Sequence, residues 1–131
     1  MAELSKFFKI VLIIDIIAGL IYGILYLFIP EIYTVLIGSP YFSLHFWRLW
    51  GLTCLILGLM GIVGFMRNEW TAIKILIEFT ILWLIGMNIL NIIILFDYQT
   101  PASFASEVTD VIIIFILIGL NIYAYLQENK D

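Results

Sequence analysis

Asp15, Glu78 and Asp110 are carboxylic acids set within or at the edge of runs of Ile, Leu, Val and Phe. A carboxyl in such surroundings is costly to charge, so it holds a proton, meets a cation or gathers hydrogen bonds. Two that approach one another titrate as a coupled pair, which is the chemistry of proton handling. Asp15 and Glu78 fall at similar depth in their runs and form one candidate pair. In the plainer alternative each is neutralised separately, with Lys74 one turn before Glu78. Asn88, Asn91 and Asn121 supply amides that serve either as ligand contacts or as hydrogen-bonding glue between helices. Tyr22 and Tyr26 either donate to these carboxylates and line a small cavity, or pack as apolar bodies with a polar tip. Arg48 lies in the stretch FWRLWG, with His45 one turn before it.

Other chemistries are poorly served. No catalytic triad, metal-binding box, phosphate loop or cofactor fingerprint is present. One His and one Cys, Cys54, are too few for a zinc site or an internal disulfide. No metal or cofactor is expected, and enzymatic activity is the least supported class. A net charge of −4, with no run of Lys or Arg, makes nucleic acid an unsuitable partner.

The elements that position these residues follow from composition. Of 131 residues, 64% are hydrophobic and 12% charged, and mean hydropathy is +1.15. Soluble domains average about 45–50% apolar and about 25% charged residues. The natural solvent is therefore a bilayer, in which a spanning helix needs about 20 apolar residues. Four stretches qualify, at approximately 7–29, 44–66, 71–96 and 107–126, each bounded by charge, Pro or polar residues. The first is too long for a signal-peptide core, carries Asp15 and lacks a following cleavage site. The expected fold is all-α: a single transmembrane domain, a four-helix antiparallel bundle. A short interfacial helix is expected between the first and second spans, where Pro30 and Glu31 suit a start and Gly38 an end.

Lys6, Lys9, Arg67, Lys74 and Lys130 fall on one side of this threading and Arg48 alone on the other. By the positive-inside rule both termini are cytoplasmic in a multi-pass protein of the cell membrane. Phe42, Phe46, Trp47 and Trp50 then form an outer aromatic belt, with Tyr98 and Phe104 nearby, while Trp70 and Tyr125 mark the inner interface.

Helical spacing places Asp15, Gly19, Tyr22, Gly23 and Tyr26 on one face of the first span. Asp110 and Asn121 share a face of the fourth, about three turns apart. Depth counting makes an outer cluster of His45, Arg48, Asn88, Asn91 and Asp110 available. Arg48 then pairs with Asp110 and orients the helices, reaches outward to lipid headgroups, or belongs to an anion or ligand site. Gly19 and Gly23 form a GxxxG motif, and Gly51, Gly58, Gly61 and Gly64 recur along the second span. Such small residues let helices approach within one chain or across a homodimer.

Pro30 after the first span, Gly38 in the first loop, Arg48-Leu49-x-Gly51, Leu57-Gly58-Leu59, Arg67 and Asp110 make a pattern covering most of the chain. In these features the chain resembles the small DoxX-like four-helix membrane proteins. A few of that group are associated with membrane redox complexes that pass electrons to quinone, and the resemblance implies such a subunit as one role. The chain departs from that chemistry in having no cysteine pair and too few histidines to ligate a haem on both faces. The residues themselves favour a binding or accessory protein that holds a lipid or small amphipathic ligand, or docks a protein partner. A proton-coupled transporter or channel-like oligomer is the other alternative.

Overall fold

The computed structural model describes residues 3–40, 43–97 and 99–130, and over these the chain is helical, without a strand. The helices are α1 (Lys6–Phe28), α2 (Pro30–Ile37), α3 (Leu44–Arg67), α4 (Trp70–Ile94) and α5 (Pro101–Asn129). All but α2 are long and apolar enough to cross a membrane. The chain is thus an all-α, multi-pass membrane protein, a four-helix bundle with a short fifth helix between its first two spans. The last span begins at Pro101 rather than at residue 107. Thr100 caps it by accepting from Ser103 N at 3.1 Å, and Pro101 occupies the first turn, where a missing N–H costs nothing.

Each helix joins antiparallel neighbours in a ring. α1 lies closest to α3 and α4 next to α5, and thinner α1–α5 and α3–α4 contacts close the circle. Glycine makes the first of these seams possible. A Cβ built on Gly51 would stand 2.5 Å from Leu27 N, and one on Gly23 would stand 2.8 Å from Leu55 N. The recurring glycines therefore bring two helices of the same chain together, backbone to backbone.

Side-chain bonds fasten both ends of the bundle. At the end carrying the termini, Ser5 N donates to Glu128 Oε1 at 3.0 Å and Leu4 N to Asn68 Oδ1 at 3.4 Å. There Leu4, Phe8, Val11, Leu12, Ile73, Ile77 and Ala124 form a solid apolar plug. At the opposite end, Gly38 closes α2 with φ 62°, a left-handed value that glycine adopts at little cost. The Thr100 hydroxyl donates to Gly38 O at 2.6 Å, so the residue that caps α5 also holds α2. Gln99 Nε2 donates to Ile94 O at 2.9 Å at the end of α4, and Ser103 Oγ bonds Gln99 Oε1.

Polarity is inverted relative to a soluble bundle. Leu82 is 70% exposed and Phe115 57%, whereas Asn88 and Asn121 are 2% and 1% exposed. Such an arrangement is stable when hydrocarbon covers the outside. On α2, Ile32, Val35 and Leu36 are exposed, as befits a helix lying in an interface.

Candidate functional site

Between the four long helices lies a cavity of about 120 Å³. Along α1 it runs from Leu12 to Tyr26, about 21 Å at 1.5 Å per residue. α1 contributes Asp15, Gly19, Tyr22 and Tyr26 to its wall, and α3 contributes Trp50 and Cys54. Thr80, Trp83 and Asn91 come from α4, and Glu107 and Asp110 from α5. The cavity exists because the glycine seam draws α3 onto α1, while aromatic and branched side chains keep the α4–α5 pair at a greater distance from them.

Three carboxyls have defined donors. Tyr22 Oη donates to Asp110 Oδ1 at 2.8 Å, joining α1 to α5. Asn121 Nδ2 donates to Asp15 Oδ1 at 2.9 Å and to its own helix at Leu117 O, also at 2.9 Å. Tyr125 Oη donates to Glu78 Oε1 at 2.7 Å, and Lys74 Nζ lies 6.0 Å from the Tyr125 ring centre. Two residues keep unused capacity: Asp15 Oδ2 and both amide atoms of Asn88 are buried with no hydrogen-bond partner among the described residues.

An aromatic array surrounds the cavity end nearer α2. Tyr26 is its hub, with ring centres of Tyr33 and Trp47 each 5.1 Å away, Tyr22 at 6.1 Å and Trp50 at 6.2 Å. Trp50 continues to Trp83 at 5.8 Å, carrying the array from α3 to α4. Trp47 and Trp50 thus turn inward instead of forming an interfacial belt with Phe46, which is 69% exposed. Phe42 and Tyr98, expected in the same belt, lie outside the described residues. Trp70 and Tyr125, expected to mark the other interface, pack against each other and against the plug. Burial, and next the charge of Asp110, hold the Tyr33 phenol above its ordinary range.

The sequence-derived candidates separate into three groups. Asp15, Tyr22, Tyr26, Asn91 and Asp110 share the cavity wall. Asn121 supports Asp15 from behind, Asn88 is buried on α4, and Glu78 is bonded to Tyr125 away from the cavity wall. His45 and Arg48 are exposed near the start of α3. The proposed outer cluster therefore does not assemble. Asp110 takes its hydrogen bond from Tyr22, and Arg48 forms no ion pair among the described residues. Its position matches the alternative in which the guanidinium reaches outward to headgroups. Asp15 and Glu78 likewise have separate donors instead of bonding to each other.

Glu107, Trp50 and Trp83 are wall residues that sequence reasoning did not single out. Glu107 sits one turn before Asp110, a spacing that puts both carboxyls on one face once the helix is known to start at Pro101. No Lys, Arg or His contributes to the wall. Compared with family models, curated proteins and solved structures, the chain matches none.

Proposed function

We propose that this chain is a ligand-binding protein of a cell membrane, whose bundle interior receives the head of a small amphipathic molecule. The observation that carries this reading is the cavity of about 120 Å³, walled by all four spans and furnished with carboxyls, phenols and indoles in an otherwise apolar bundle. Lys6, Lys9, Arg67, Lys74 and Lys130 lie at or near the plugged end, which supports a cytoplasmic position for both termini. The four antiparallel spans, with α2 after the first, accord with a DoxX-like affiliation. Native mass spectrometry of the detergent-purified protein tests the reading: a bound small molecule should be released on activation. Ala18→Phe, placed on the cavity wall, should abolish it while leaving helix content intact. Retention of the same molecule by that variant would refute the assignment of the cavity.

Cation or proton translocation is a second reading, favoured by carboxyls at two depths, Asp15 towards the plug and Asp110 towards α2. It requires the apolar plug to part. Proteoliposome flux unaffected by Asp15→Asn would dismiss it.

A further inference from the structure

We infer that the cavity takes an organic cation: a compact alkylammonium group held by Glu107 and Asp110 against Tyr26, Trp50 and Trp83. This deepens the ligand-binding reading and rests on it. The first ground is charge. Asp15, Glu107 and Asp110 line one cavity with no basic side chain on its wall, and Arg48, the cation nearest in sequence to the aromatic array, is exposed. Carboxyls in such a place call for a compensating positive charge, from a proton or from a guest. An anionic guest would add to the imbalance.

The second ground is the wall itself. Tyr and Trp rings attract cations through their electron-rich faces, Trp most strongly, and Trp50 and Trp83 stand 5.8 Å apart at an angle of 47°. An aromatic wall with flanking carboxylates is the surface that quaternary and tertiary ammonium groups select. A metal ion asks for something else: converging oxygen ligands at short range. Among the described residues no three acidic, His or Cys side chains converge to hold one. The third ground is unspent bonding capacity. Asp15 Oδ2 lies on the deep part of the same cavity, buried and without a donor, ready for an N–H or O–H carried by the guest. Size narrows the class further. A void of about 120 Å³ is somewhat smaller than the ~150 Å³ apolar cavity that accepts benzene, so a head group enters and a pair of acyl chains does not. The ammonium comes either from a soluble amine or from the head of a choline lipid.

The test uses the full chain in phosphatidylglycerol nanodiscs, which contain no amine head groups. Choline and its neutral carbon analogue 3,3-dimethyl-1-butanol are titrated while tryptophan emission is followed. Choline should perturb the emission and bind at least tenfold more tightly than the alcohol. The double variant Glu107→Gln, Asp110→Asn, with helix content verified by circular dichroism, should weaken choline binding at least tenfold. Trp83→Phe should weaken it with both carboxyls retained. Repetition in phosphatidylcholine nanodiscs separates the sources, because a lipid head in the cavity lowers the apparent affinity for choline whereas a site for soluble amines leaves it unchanged. Equal affinity for the alcohol, or unchanged choline binding by the folded double variant, overturns the cationic inference and leaves the ligand-binding reading standing. Silence toward both compounds overturns both.

Discussion

Replacing Gly51 with Ala adds one methyl group at the point where α1 and α3 approach most closely. That Cβ would lie 2.5 Å from Leu27 N, 2.8 Å from Tyr26 C and 2.9 Å from Tyr26 Cβ. Two of these atoms are backbone, so relief requires a helix to move, and overpacking of this kind costs about 1–3 kcal/mol. Alanine also favours the helix over glycine by roughly 0.5–1 kcal/mol, which partly offsets the loss. Gly86 supplies the control, because a Cβ there meets nothing within 4 Å. Gly86→Ala should therefore gain the propensity term alone. The difference between the variants isolates the steric cost, and Gly51→Ala should be the less stable by about 1–3 kcal/mol. Reversible unfolding in mixed detergent micelles, followed by circular dichroism, measures it. If Gly51→Ala is as stable as Gly86→Ala, the backbone-to-backbone seam is wrong, and the account of how the cavity is held open falls with it.

Tyr22→Phe removes the donor to Asp110 and should cost about 0.6–1.7 kcal/mol, the range for hydrogen bonds between spanning helices, in the same unfolding assay. Arg48→Ala should change stability by no more than about 0.5 kcal/mol, as for an exposed side chain without a partner, and exchanging Arg48 and Asp110 should not rescue the single charge variants. The raised Tyr33 phenol keeps its proton longer in the folded state than in the unfolded one, so its contribution is complete below the unfolded value near 10. That contribution is lost as pH rises further, and Tyr33→Phe should show a shallower fall in melting temperature in alkaline buffer. Thr100→Val deletes both the α5 cap and the bond to Gly38, and should cost at least the ~1 kcal/mol typical of a lost cap, read as a lower melting temperature.

The four spans and α2 were legible because hydrocarbon thickness dictates a length that few soluble helices of this composition reach, and because Pro30 and Gly38 punctuate the first connection. The shared face of Asp15, Tyr22 and Tyr26 was legible from helical spacing alone. The start of α5 was misplaced because Ser103, Ser106 and Glu107 read as loop polarity, although Thr100-Pro101 carried a start signal. That error hid Glu107 as a wall residue. The supposed pairing of Arg48 with Asp110 failed for a different reason. Counting residues from a membrane face fixes height and leaves direction around the helix undetermined, so two groups at one level can face different surroundings. Trp47 and Trp50 illustrate the same gap. Their type suited an interface, but the tyrosines of α1 supplied a better surface inside.

The hydrogen bond from Ser5 to Glu128 has a consequence for engineering. The two extremities of the helical chain are neighbours, so a short flexible linker can splice them into a continuous polypeptide. A fresh opening cut in the α2–α3 connection would leave every crossing in its original direction and the number of crossings even. The rearranged chain should insert and fold as the parent does, with its ends now displayed on the opposite face of the membrane, where a fluorescent tag can be fused without touching the plug.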